Sequence, residues 1–186
     1  RSATAMLQRL VFRSRTQLPV NNWMEMTDAD FRSALLNCTK EGRIDHTLWN
    51  SLFGNYRNIY KRLLQFSFFT SPEIHSRLAH RPFAELVDCA ERLSRALSEH
   101  LSMTIDPDEV LIDAPPVKLE IQFRLDIQNR QSLLPLAEVS PVVKSLATEQ
   151  FDNYVKMVRI FVSPRLREQL TLSEDQLTSI LVNCLN

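Results

Sequence analysis

The sequence predicts an α+β fold, with a mainly α-helical first half followed by a small antiparallel-sheet second half. Three observations point there. Apolar stripes at helical spacing dominate up to about residue 104. After Asp106-Pro107 the apolar period changes to two. Serine or threonine followed by proline or acidic residues marks helix starts along the whole chain. With 44% hydrophobic and 24% charged residues, 186 positions suffice for one sizeable core or two small ones.

The elements follow in order. Residues 5–16 carry Met6, Leu7, Leu10 and Val11 on one helical face, with Arg9, Arg13 and Arg15 elsewhere, and the helix stops near Pro19 and Asn21-Asn22. Thr27-Asp28-Ala29-Asp30 resembles a capping box, and Phe31, Ala34, Leu35 and Cys38 continue it as a helix. Asp45 opens another helix through Leu48, Trp49, Leu52 and Phe53, with Gly54 at the usual C-terminal position. Ile59 to Phe69, rich in aromatics, suits a strand. Ser71-Pro72-Glu73 is a helix start. From Pro82 onward, Phe83, Leu86, Val87, Ala90, Leu93, Leu97 and Leu101 form the strongest helical face in the chain.

In the second half, Val110 to Ile112 reads as a short strand. Lys118 to Ile127 alternates strictly, with Leu119, Ile121, Phe123, Leu125 and Ile127 on the buried side. Ser140-Pro141 opens a helix, Met157 to Val162 is a further strand, and Ser163-Pro164 and Ser173-Glu174-Asp175-Gln176 start the last two helices.

Composition excludes several function classes. Lys plus Arg and Asp plus Glu both total 22, so nothing demands a nucleic-acid partner, which usually needs a basic excess. Two glycines, Gly42 and Gly54, are too few for a Gly-rich phosphate loop. Cys38, Cys89 and Cys184 form no zinc pattern and read as small buried hydrophobes, which favours a reducing, cytoplasmic setting. No apolar run approaches the roughly 20 residues that span a bilayer, so no membrane partner is expected. The chain opens on Arg1, directly in a helical pattern, and reads as a fragment.

No catalytic constellation emerges. His46, His75, His80 and His100 lack the spacing of a helical zinc site; surface or cap roles are expected for His75 and His80, and His100 suits the negative end of its helix dipole. No serine has the flanking glycines of a nucleophile elbow, and no carboxylate pair is visible. One segment stands out, Asn55 to Arg62. Arg57, Lys61 and Arg62 alternate there with Tyr56 and Tyr60, a mixture that can hold phosphate and stack on a base. The plainer reading is a solvated strand edge kept from aggregating by its charges.

The same segment carries a resemblance. Tyr56-Arg57-Asn58-Ile59-Tyr60-Lys61, preceded by Leu52, resembles the Tyr-Arg-Asn-Leu-Phe-Lys stretch of HD-domain deoxynucleotide triphosphohydrolases, the family of the SAM-and-HD-domain dNTPase. Met26-Thr27-Asp28-Ala29-Asp30-Phe31 resembles that family's Leu-Thr-Asp helix start. Val110-Leu111-Ile112-Asp113 resembles its Val-Leu-Leu-Asp-Val strand. Leu146 to Val162, with Val158-Arg159-Ile160-Phe161-Val162, resembles its closing helix and strand. The matches are colinear over residues 23–170.

The helix Leu7 to Arg15 is similar to the family's last active-domain helix. Phe12, Arg13, Ser14 and Arg15 stand where substrate and effector contacts would lie, and only the basic residue at Arg15 is retained. The resemblance implies three parts. Residues 1–22 are a remnant of the last HD-domain helix, 23–104 a helical region, and 105–186 a small α+β subdomain. It implies a C-terminal regulatory and oligomerisation region, not catalytic by itself, in which Arg57, Lys61, Arg15 and Ile59 meet a regulatory nucleotide. The family holds its metal with an upstream His, a His-Asp pair and a later Asp, and no His-Asp dipeptide occurs here. A divalent metal is therefore expected only in an HD region outside this sequence, and no cofactor in this chain. The implied partners are the protein's own HD catalytic region, further copies of itself, and a nucleotide effector. The alternative is a stand-alone protein-interaction module with no nucleotide chemistry.

Overall fold

The computed structural model describes residues 1–18, 25–39, 44–116, 126–129, 132–145 and 156–185. Helices and small sheets mix as an α+β fold, as the sequence predicts. The chain forms two compact units. One comprises Arg1–Leu64, Val87–Asp113 and Ile160–Asn186, and the other Gln65–Leu86 and Ala114–Arg159.

In the first unit, α1 (Ser2–Ser14), α2 (Asp28–Cys38) and α3 (Ile44–Phe53) pack around one cluster. Met6 and Leu10 of α1, Leu35 of α2, Leu48 and Leu52 of α3, and Tyr60, Leu111 and Phe161 are among its buried members. Burying each such side chain stabilises by about 1.5–3 kcal/mol, before the entropy of ordering the chain is counted. The capping box of α2 forms as expected. Thr27 Oγ1 accepts the Asp30 amide at 3.2 Å, and Asp30 accepts the Thr27 amide at 3.1 Å. α3 begins one residue before Asp45, and the Gly54 amide donates to Asn50 O at 2.8 Å. Glycine is needed there by proximity rather than by left-handed backbone, because an added Cβ would lie 2.5 Å from Asn50 O.

The long α5 (Phe83–Leu101) follows the predicted face, with Val87, Ala90, Leu93 and Leu97 buried. A 3-10 turn, Pro107–Glu109, leads into β2 (Val110–Asp113). β1 (Lys61–Phe66), β5 (Val158–Val162) and β2 form a sheet with β5 in the middle. The chain closes with α8 (Pro164–Gln169), capped by Ser163, and α9 (Glu174–Cys184), whose Ser173 and Gln176 form a second capping box. Cys89 and Cys184 are buried free thiols, and Cys38 is half-buried.

The second unit contains α4 (Pro72–Leu78), the antiparallel hairpin β3 (Asp126–Asn129) and β4 (Ser132–Pro135), and the short α6 (Leu136–Val139) and α7 (Pro141–Ser145). Ile127 pairs with Leu134 across the hairpin, yet it is 38% exposed rather than on a buried side.

Several expectations are corrected. The strand expected over Ile59 to Phe69 is only Lys61–Phe66. Ser67 and Thr70 form a hydroxyl-bonded turn beyond it, with Thr70 N donating to Ser67 Oγ at 3.1 Å. Arg9, expected off the apolar face, is 2% exposed. His75 is not at the surface. It is buried, and its Nε2 donates to Lys156 O at 3.0 Å. His80 is half-buried at φ 62°, with its amide donating to Pro115 O and its Nδ1 to Pro116 O, both at 2.9 Å. These bonds hold a backbone conformation that L residues seldom adopt. The strand expected at Lys118 to Ile127 lies outside the described residues up to position 125, as do the stop at Pro19 to Asn22 and the part of the closing helix at 146–155.

Candidate functional site

The segment after α3 is pinned at several points. The Asn58 amide donates to Ser51 O at 3.1 Å, and Arg57 Nε donates to Leu52 O at 3.4 Å. At its far end Tyr60 plunges into the core. Its amide meets Met6 Sδ at 3.5 Å and its hydroxyl donates to Asp108 O at 3.1 Å. Burial pushes the Tyr60 phenol up, with Glu109 and Asp108 adding to the effect. The two tyrosines therefore part. Tyr60 is structural and cannot stack on a base, whereas Tyr56 is 91% exposed.

The start of this segment, at Asn55 and Arg57, lines a cavity of about 760 Å³. Its apolar lining is Leu7, Phe31, Leu52 and Phe53, and its polar lining is Asp28, Arg32, Asn55 and Arg57. A hollow that sets apolar walls beside convergent polar groups is a form that small-molecule sites take. Of the residues picked from sequence, Arg57 lies in this lining. Among the described residues Lys61, Ile59 and Arg15 do not. Lys61 is exposed at the start of β1, and Ile59 is half-buried against the core cluster. Arg15 sits 3.8 Å over the Phe12 ring, with Nη1 donating to Phe12 O.

The family described as HD associated region matches residues 1–179 of this chain. The chain belongs to the HD-associated region family. Searches of curated proteins and of solved structures give no match.

This HD-associated region holds its other arginines differently. Asp108 is the hub of a buried cluster. Arg9 Nη1 donates to its Oδ1 at 2.9 Å, and Arg13 donates through Nε to both carboxylate oxygens at 3.1 Å. Arg13 Nη2 also reaches Glu91 at 2.7 Å. Burial pulls the Arg9 pKa down, while Asp108 resists that shift. For Arg13, burial is outweighed by hydrogen bonds and charge from Asp108 and Glu91, so its pKa is raised. A second cluster joins Glu109 to Arg165 and to the Ser163 hydroxyl, which donates to it at 2.6 Å. Burial pushes the Glu109 pKa up, but the Arg165 and Ser163 hydrogen bonds outweigh it and leave the carboxyl below its ordinary range.

Sequence reading missed Asp28 and Arg32 as site residues. Both were visible only as part of a capped helix, and their neighbour Arg57 is 25 positions beyond Arg32. It also missed both buried ion clusters. Among the described residues no group of three or more His, Cys, Asp or Glu side chains is placed to hold a metal ion. No described helix is long and apolar enough to cross a membrane.

Proposed function

We propose that this HD-associated region is the regulatory and oligomer-forming part of an HD-domain nucleotide phosphohydrolase. Its task is to bind an effector nucleotide rather than to hydrolyse one. The observation that carries the reading is Arg57, an exposed guanidinium at a cavity of mixed apolar and polar lining, without an ion-pair partner among the described residues. Guanidinium N–H groups match phosphate oxygens, and the apolar lining suits a sugar or base. Lys61 adds positive charge four positions on, Arg15 is a further basic residue on the family's pattern, and Ile59 backs the segment from the core side. Hydrolysis belongs to the partner HD region, whose His/Asp cage would hold a divalent metal and activate water. The three free thiols suit a cytoplasmic setting.

Thermal unfolding with dGTP and with dATP tests this reading. A ligand that binds only the folded chain adds about 2.7 kcal/mol at 100 times its dissociation constant, so the midpoint rises. Arg57→Ala combined with Lys61→Ala should abolish the rise while leaving the unliganded midpoint in place. If neither nucleotide moves the wild-type midpoint, the reading fails and the chain is an interaction module.

A further inference from the structure

Arg9, Arg13 and Arg165 all end on carboxylates. Arg32 differs. It is exposed on α2, one turn after Asp28, and has no ion-pair partner among the described residues. Its backbone is fixed, because Trp49 Nε1 donates to Arg32 O at 3.0 Å and ties α2 to α3. Its guanidinium lies 5.9 Å from the centroid of Phe53, a ring that itself lines the cavity. Contact with a ring face leaves the N–H edge available for an anion. The cavity thus receives one arginine from α2 and another from the segment after α3.

We propose that Arg32 is a second phosphate contact in this cavity, and that with Arg57 it selects ligands carrying two or more linked phosphates over those carrying one. This assignment builds on the nucleotide reading and names what that site prefers. The pair of arginines supplies the selection. A lone phosphate held by one arginine shares the cavity with a carboxylate of its own sign, which offsets part of the gain. A chain of phosphates long enough to engage both guanidinia meets that carboxylate with more charge, but it gains a second charge-assisted contact that a single phosphate held by one arginine lacks. The apolar lining is then left for whatever the phosphates carry.

The test is calorimetric titration of the chain with four probes: dATP, dAMP, inorganic tripolyphosphate and inorganic phosphate. Wild type should bind the triphosphate probes at least tenfold more tightly than the single-phosphate ones. Arg32→Ala should cost roughly tenfold or more with dATP and tripolyphosphate, the loss expected for one charge-assisted contact, while dAMP and phosphate change less than twofold. Arg32→Gln, which keeps the stem along Phe53 without the charge, should behave alike, and its unliganded midpoint checks the fold. An unchanged ratio of triphosphate to monophosphate affinity in both variants overturns the role of Arg32. In that event a loss confined to Arg57→Ala leaves the nucleotide reading standing. Arg32-dependent binding of tripolyphosphate without binding of dATP or dGTP supports the two-arginine site and sinks the nucleotide reading. Binding of no probe overturns both.

Discussion

Asp108 accepts hydrogen bonds from two arginines of α1 while only 5% of its side chain is exposed. Removing the acceptor strands the Arg9 guanidinium in a place where water cannot replace it. Asp108→Ala should therefore lower unfolding free energy by about 3–5 kcal/mol in urea titrations, the usual cost of orphaning a buried charge. Arg9→Met in the Asp108→Ala background should recover much of that loss, since an apolar replacement of similar volume removes the orphan. Recovery below one quarter would show that packing, not charge, dominates. Glu109 sets the acid limit. Its folded pKa lies below the unfolded value of 4.5, so its contribution is fully present above that value and is lost as pH falls through the folded value. Stability measured from pH 6 down to 3 should drop less steeply in Glu109→Gln than in wild type. Neither cluster was legible in the sequence. Arg9 and Asp108 are 99 positions apart, and an arginine within a helical stripe reads as solvent-facing until its partner is known.

Helices that begin on Thr27, Ser163 and Ser173 were legible because a cap is a local event, decided within four residues. The cap on α2 also carries the cavity wall, since Asp28 and Arg32 stand on its first two turns. Thr27→Ala should cost about 1 kcal/mol, read as a lower unfolding midpoint, and should weaken triphosphate binding as the first turn frays. Thr27→Ser should restore both. Gly54→Ala should destabilise more, because the new methyl meets the Asn50 carbonyl and backbone cannot step aside as a flexible side chain does. A melting curve identical to wild type would refute that steric account. β1 was legible as a strand but not in its length. Aromatic content at Phe68 and Phe69 continues the pattern that the Ser67 and Thr70 hydroxyls physically end.

For the molecule as a whole, the fold class and the kinship with HD-domain proteins were both readable, one from the change of apolar period and the other from colinear motifs. The cavity was only half readable. Arg57 announced itself within a mixed basic and aromatic run, whereas its apolar lining is assembled from α1, α2 and α3 and has no sequence signature. The chain alone, incubated with dGTP and Mn²⁺ or Mg²⁺, should release no triphosphate. Metal-dependent turnover by these residues would refute the division of labour proposed for the HD region and its associate.

Helix α1 serves two masters. Leu7 forms part of the hollow, and two positions later Arg9 is clamped to the turn before β2. A guest settling against Leu7 meets a wall that cannot swing outward without tearing a shielded ion pair. On the α1 side, docking therefore requires no outward hinge of the wall, and the ordering left to perform falls on the exposed arginines opposite.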